Sequence, residues 1–251
     1  MNAPTPPTAQ TSRLHGQVAV VTGASSGIGA AIARELSAAG VRLVITARRD
    51  DRLVALAKSL TTDGAIHVAS IEDPDTPRQL LELALSRFGR ADILVNNAGV
   101  FVAGSVDTFD LDAASQMMRV NFDAVVRGSY VFGGHFKAQK AGAIINVSSI
   151  GAYLSSSSVG VYSGLKHALE VFTSSLRVEL GGHGVRVGSI APGTTETEIF
   201  DHLRSQGAPV RADKTPPLAP ADIAHAVRFM LEQPGHANVA RMLLGATTES
   251  V

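Results

Sequence analysis

Seven short apolar runs, alternating with stretches whose apolar residues recur at helical spacing, constrain this chain more than any other feature. The runs lie at 18–22, 41–46, 65–69, 92–95, 143–147, 185–190 and 242–244. The helical stretches lie at 28–39, 50–60, 76–88, 111–121, 122–140, 161–180 and 220–231, with Asp50 or Asp51 able to cap the second. Near-continuous apolar runs separated by helices are the pattern of a parallel sheet covered on both faces. The expected fold is α/β: a doubly wound, mostly parallel seven-stranded sheet with helices on both faces. With 251 residues the chain can bury one sizeable core, and 14–251 reads as a single domain. Residues 1–13, proline-rich at the start, read as a disordered arm. The polar stretch 194–217 is too long for an ordinary connection and reads as a lid.

Composition removes several classes of function. Lys and Arg total 22 against 22 Asp and Glu, so no basic nucleic-acid surface is expected. No apolar run is long enough to span a bilayer. The first dozen residues lack the basic and apolar regions of a signal peptide, so the expected location is cytoplasmic. There is no cysteine, which excludes disulfides, thiolate metal sites and cysteine nucleophiles. The eight histidines show no metal-ligand spacing, and no metal is expected.

Thr22-Gly23-Ala24-Ser25-Ser26-Gly27-Ile28-Gly29 lies where the first strand passes into the first helix. Gly23 suits a tight turn, Gly27 a close approach to a pyrophosphate, and Gly29 close packing of helix on strand. The helix N-terminus then offers free N–H groups and a positive dipole end. In this position the pattern points to a dinucleotide, though not to any chemistry.

Tyr162 and Lys166 are four residues apart, on one face of a predicted helix. A cation beside a phenol lowers its pKa, so such a tyrosine can exchange a proton with a carbonyl or alcohol oxygen. Gly164 between them weakens the helix and suggests a close neighbour. Asn146-Val147-Ser148-Ser149, Asn96-Asn97-Ala98-Gly99 and Pro192-Gly193 follow three other strands. All would open on one edge of the sheet, where open α/β folds bind ligands.

These motifs, spread over about residues 14–245, resemble the short-chain dehydrogenase/reductase superfamily in its compact single-domain form. The resemblance implies an oxidoreductase that moves hydride between a nicotinamide dinucleotide and a carbonyl or alcohol. It makes Tyr162 the proton donor and acceptor, and Lys166 the ribose ligand that depresses the tyrosine pKa. Asn121 holds a relay water, and a serine steadies the substrate oxygen. Thirteen-residue spacing to Tyr162 selects Ser149, whereas alignment on Gly151 would select Ser148. Thr195 and Thr197 would contact the carboxamide and phosphates, and Asn97, Ala98 and Gly99 would support the ribose and the sheet. Ser70 and Ile71 stand where the family usually has an aspartate near the adenine, and Gly188 where asparagine is common. The region after Pro192-Gly193 is similar to a subgroup that includes clavulanate-aldehyde reductases and hydroxy-acid dehydrogenases. The family also implies a homo-oligomer, a tetramer or a dimer. A non-catalytic NADP-binding regulator on the same fold is the alternative, discriminated by turnover of NADPH.

The end of the second strand favours NADP(H). An NAD site needs a carboxylate there to accept from the ribose hydroxyls, and this chain has Ala47 followed by Arg48 and Arg49. Arg48 can meet a 2′-phosphate with a bidentate contact. Asp50 and Asp51 come later, where an aspartate caps the next helix. Glu196, Glu198 and Asp201 read as solvated lid charges or a helix cap.

Overall fold

A computed structural model describes residues 12–198 and 216–249. Seven parallel strands form one sheet: β1 (Val18–Thr22), β2 (Arg42–Ala47), β3 (Gly64–Val68), β4 (Ile93–Asn96), β5 (Gly142–Val147), β6 (Val185–Pro192) and β7 (Arg241–Leu244). Their spatial order is β3-β2-β1-β4-β5-β6-β7. The helices are α1 (Gly27–Ala38), α2 (Asp50–Ser59), α3 (Thr76–Phe88), α4 (Leu111–Met118), α5 (Ala124–Gln139), α6 (Gly160–Gly181) and α7 (Pro220–Leu231).

Every residue of β1 is buried, and its side chains divide between two cores. Ala19 and Val21 pack with Ile32 and Leu36 of α1 and Val227 of α7. Val18 and Val20 face Leu80 of α3, Phe132 and Phe136 of α5, and Leu176 of α6. Two-sided burial explains why the strand sequences do not alternate. Each large aliphatic or aromatic side chain so buried contributes about 1.5–3 kcal/mol. Local signals set the helix ends. Pro77 sits in the first turn of α3 and Gly89, in the left-handed region at φ 76°, closes it. Asp110 caps α4 by accepting from the Asp112 N–H at 2.8 Å.

Three local expectations change. Stretches 111–121 and 122–140 are not two separate helices. A five-residue π turn, Arg119–Asp123, joins α4 to α5 and carries Asn121. The N-cap of α2 is Arg49, so Asp50 and Asp51 lie in the first turn and cap nothing. A Cβ at Gly164 would meet nothing within 4 Å among the described residues, so no close neighbour explains that glycine. The arm over 1–13 lies outside the described residues except for its last two. The expected lid lies outside them over 199–215. Its two ends are tied by paired backbone bonds, Glu196 N–H to Leu218 C=O at 2.9 Å and Leu218 N–H to Thr194 C=O at 2.8 Å. No described helix is long and apolar enough to cross a membrane. Among the described residues no cluster of His, Asp and Glu could hold a metal ion.

Candidate active site

The direction of winding reverses between β1 and β4, and this reversal creates a crevice at the carboxyl ends of the strands. Parallel pairing brings the ends of β1, β4, β5 and β6 to that edge. The glycine-rich turn leaves β1 with Gly23 at φ 66° and Gly27 at φ 52°, both conformations that favour glycine. A Cβ on Gly23 would lie 2.7 Å from the Ala98 Cα. Asn97 Nδ2 donates to the carbonyls of Thr22 (2.9 Å) and Gly23 (3.2 Å), and the N–H groups of Asn97 and Ala98 donate to Thr22 Oγ1. Thus Asn97 and Ala98 clamp the turn, while Gly99 lies beside the Asn121 carboxamide. The Ser26 hydroxyl does not cap α1; it accepts from Arg49 Nη2 at 2.8 Å.

Tyr162 and Lys166 stand one turn apart on α6, as their spacing predicts. Their electrostatics differ from the expected scheme. Burial pushes the Tyr162 phenol above its ordinary value, and a hydrogen bond with Ser149 works the other way. The Lys166 ammonium is 5.8 Å from the Tyr162 ring centroid. In this arrangement the ammonium's hydrogen bond goes to the Val147 carbonyl, at 2.9 Å. Burial pushes Lys166 itself down to about 8, and the charge of Glu170 partly offsets this. Ser149 also accepts from the Gly151 N–H at 3.1 Å, which holds its hydroxyl in place beside Gly151, near the Tyr162 ring. Ser148 faces the interior, and its Oγ has no hydrogen-bond partner among the described residues.

Lys166 gives a prediction with a definite sign. A lysine whose folded pKa lies near 8 binds fewer protons in the native state than in the unfolded chain, where lysine titrates at about 10.4. Stability should therefore rise with pH above about 8, and below that the full cost of charging the buried amine is present. Urea midpoints measured from about pH 8 to 9.5 are expected to climb in the native chain and to stay flatter in Lys166→Met. Parallel curves for the two proteins would assign the lysine an ordinary pKa.

Asn121 is fully buried in the π turn, the wider helical turn often found at functional sites. Its Oδ1 accepts from the Val100 N–H at 2.8 Å, and its Nδ2 donates to the Val100 carbonyl at 2.7 Å. The loop after β4 is thereby held over the crevice, and Phe101 meets the Tyr162 ring edge-on at 4.6 Å between centroids. A buried relay, Asn96 to Asn146 at 2.9 Å and Asn146 to Thr173 at 2.8 Å, ties β4, β5 and α6 together beneath these groups. Neither the Phe101 contact nor this relay is visible in the sequence, because each joins elements distant along the chain.

On the other flank, Arg48 is exposed, whereas Arg49 is held at the glycine-rich turn by Ser25 and Ser26. Glu198 pairs with that arginine at 2.9 Å rather than standing free in solvent. Ser70 and Ile71 follow β3 beside the end of β2, where the Ala69 N–H meets the Ala47 carbonyl. Ile28 stands in the first turn of α1. Pro192 ends β6, and Gly193 begins the turn after it. Thr195 Oγ1 donates to the Gly193 carbonyl at 3.0 Å, and the Thr197 methyl lies 3.1 Å from where a Gly27 Cβ would be. Segment 193–198 therefore lies across the glycine-rich turn. An unforeseen contact anchors its base: the Glu249 carboxylate accepts from the Thr194 N–H (3.2 Å) and hydroxyl (2.8 Å). A cavity of about 540 Å³ opens beside the turn, lined in part by Ser25, Ser26, Gly27, Arg52, Thr197 and Glu198.

Residues 17–208 match the family model for short chain dehydrogenases. An uncharacterised oxidoreductase of Staphylococcus saprophyticus is 32% identical over 240 residues, covering 94% of this chain and 98% of that protein. The closed form of a serine dehydrogenase complexed with NADP+ superposes with a TM-score of 0.88 at 26% identity, covering 94% of this chain and 97% of the other. An alcohol dehydrogenase from the archaeon Thermococcus sibiricus, complexed with 5-hydroxy-NADP, superposes with a TM-score of 0.83 at 27% identity, covering 94% and 98%.

Proposed function

The chain belongs to the short chain dehydrogenase family, and on that premise we propose that it is an NADP(H)-dependent carbonyl reductase or alcohol dehydrogenase. The observation that carries the chemistry is the Tyr162 phenol, whose ring and the Ser149 hydroxyl both border Gly151 at the carboxyl edge of the sheet, with Lys166 one helical turn away.

The residues fit a dinucleotide. Gly23 and Gly27 allow the turn to close against Ala98 and Thr197, where a Cβ at either would crowd them, and the start of α1 supplies a positive dipole end for a pyrophosphate. Ser25, Ser26, Gly27, Ile28 and Gly29 would hold the phosphates from one side and Thr195 and Thr197 from the other. Arg48 and Arg49 would hold the adenosine end, Ser70 and Ile71 would flank the adenine, and Lys166 would take the nicotinamide ribose. When bound, the cofactor supplies or accepts the hydride.

The remaining work falls to the chain. Ser149 orients the substrate oxygen toward the phenol. In reduction Tyr162 gives its proton to that oxygen as the carbon becomes an alcohol, and in oxidation it takes the proton back. The burial that raises the phenol pKa keeps it protonated at neutral pH, the state a proton donor needs. Asn121, fixed on Val100, would hold the water that feeds the proton path. The NADP-bound relatives and the two adjacent arginines support the 2′-phosphate preference.

The test is direct. With a panel of aldehydes, ketones and β-keto acids, NADPH is expected to give the higher kcat/KM for any substrate turned over. Arg49→Ala is expected to weaken NADPH by about 1.5–3 kcal/mol, the range for hydrogen bonds to charged groups, with NADH nearly unaffected. Arg48→Ala should do the same if both guanidiniums reach the phosphate. A higher kcat/KM with NADH in the unaltered chain would reverse the cofactor assignment.

A further inference from the structure

Two guanidiniums meet one carboxylate beside the glycine-rich turn, and two hydroxyls hold the nearer guanidinium in place. Arg49 Nη2 lies 2.9 Å from Glu198 Oε2, and Arg52 Nη1 lies 3.7 Å from Oε1. Ser25 Oγ is 3.2 Å from Arg49 Nε and 2.9 Å from Nη2, and Ser26 Oγ is 2.8 Å from Nη2. Hydrogen bonds from Arg49 and Ser26, with the charges of Arg49 and Arg52, hold the Glu198 carboxyl below the usual carboxylate range. A surface ion pair has no need of two hydroxyls and a second guanidinium to steady it. This donor set is a seat for a multi-oxygen anion, built from the end of β2, the first turn of α2 and the glycine-rich turn.

We propose that Glu198 is an internal counter-anion for this seat, and that a 2′-phosphorylated dinucleotide must displace it in order to bind. The inference rests on the cofactor reading given above and adds a residue that sets the selectivity of the site. Arg49 Nη2 already meets Ser25, Ser26 and Glu198, so the edge of the guanidinium that faces the glycine-rich turn is occupied by the present partners. A phosphate dianion brought to the same guanidinium meets the carboxylate as a like charge, and one of the two anions has to leave. Glu198 therefore weakens 2′-phosphorylated ligands and leaves those with a free 2′-hydroxyl untouched. The arginines, for their part, keep an anionic partner between binding events. Displacement also has a mechanical consequence, because Glu198 follows Thr197, which lies across Gly27. Loss of the Arg49 contact frees segment 193–198 at one of its attachments, while Glu249 and the backbone pairing with Leu218 keep the others.

The measurement is calorimetric and independent of turnover. Dissociation constants for NADP+, NAD+, 2′,5′-ADP and 5′-ADP are determined for the unaltered chain, Glu198→Gln and Glu198→Ala. Both side chains of the Arg49–Glu198 pair are near half exposed, at 42% and 45%, so the effect is that of a screened pair. NADP+ and 2′,5′-ADP are expected to bind about fivefold more tightly to both variants, about 1 kcal/mol at 1.4 kcal/mol per decade. NAD+ and 5′-ADP should stay within about twofold. A gain confined to the 2′-phosphorylated ligands is what a merely structural role for Glu198 would not produce, and in an Arg49→Ala background that gain should shrink. Unchanged or weaker NADP+ binding by Glu198→Gln overturns the proposal, as does equal tightening of NADP+ and NAD+. A chain that binds NAD+ but not NADP+ overturns the cofactor reading and the proposal with it, and is recognised before any variant is made.

Discussion

Tyr162→Phe is expected to lower turnover by at least about a hundredfold, the lower end of what general acid–base catalysis contributes. Cofactor dissociation constants should stay within about twofold, because in the proposed reading most of the dinucleotide's contacts come from the glycine-rich turn, the arginines and Lys166 rather than from the phenol. The ring itself packs edge-on against Phe101, and phenylalanine preserves that contact, so little stability should be lost. The combination discriminates between roles. A structural tyrosine would show its loss in unfolding and leave the rate of the surviving fold intact. Single-turnover rates and binding heats on the same preparation separate the two, and near-native turnover in the Tyr162→Phe variant would remove the phenol from the chemistry.

How much of this arrangement the sequence carries depends on the range of the interaction. Period and spacing are local, so the seven strands, the handover at Gly23–Gly29 and the i,i+4 placement of Tyr162 and Lys166 are all legible. Spacing alone keeps Ser149 and Ser148 as alternatives, and what separates them is the surroundings of each hydroxyl. Ser149 follows β5 with its Oγ bound to the Gly151 N–H and turned toward α6, whereas Ser148 turns inward. The lysine's partner is not legible. Whether its ammonium faces a phenol or a carbonyl depends on how deeply α6 packs on β5, which spacing along α6 does not encode. The same holds for Glu198 and Glu249. Each is one acid in a polar stretch until the chain returns it to Arg49 or Thr194. The π turn at Asn121 escapes a sequence reading for a related reason: a single extra residue in a helical turn leaves the apolar period almost unchanged.

Gly29→Ala should cost more stability than its single methyl suggests. The glycine lies in the first turn of α1, and a Cβ there would fall well inside van der Waals contact with both Asn97 Nδ2 and the Gly23 carbonyl. Neither neighbour can retreat cheaply. The Gly23 carbonyl belongs to a residue at φ 66° whose own Cβ position is closed off by the Ala98 backbone. Asn97 Nδ2 is spanned between the Thr22 and Gly23 carbonyls, and the Asn97 and Ala98 N–H groups share Thr22 Oγ1. Admitting the methyl means releasing the carboxamide, at about 1 kcal/mol net for each of its two bonds. To this is added the strain of an overpacked site, about 1–3 kcal/mol. The expected loss is about 3–5 kcal/mol, partly offset by the better helix propensity of alanine, about 1 kcal/mol. Urea denaturation should register it as a lower midpoint with little change in slope. The displaced carboxamide links the crossing of β1 to that of β4, so the damage should reach the ligand edge. Weaker binding of 5′-ADP, which carries no 2′-phosphate, is expected in Gly29→Ala at temperatures where the fold survives. A stability within about 0.5 kcal/mol of the native value, the ordinary range for a surface substitution, would mean that the β1 and β4 crossings yield independently, and that Asn97 does not clamp the turn.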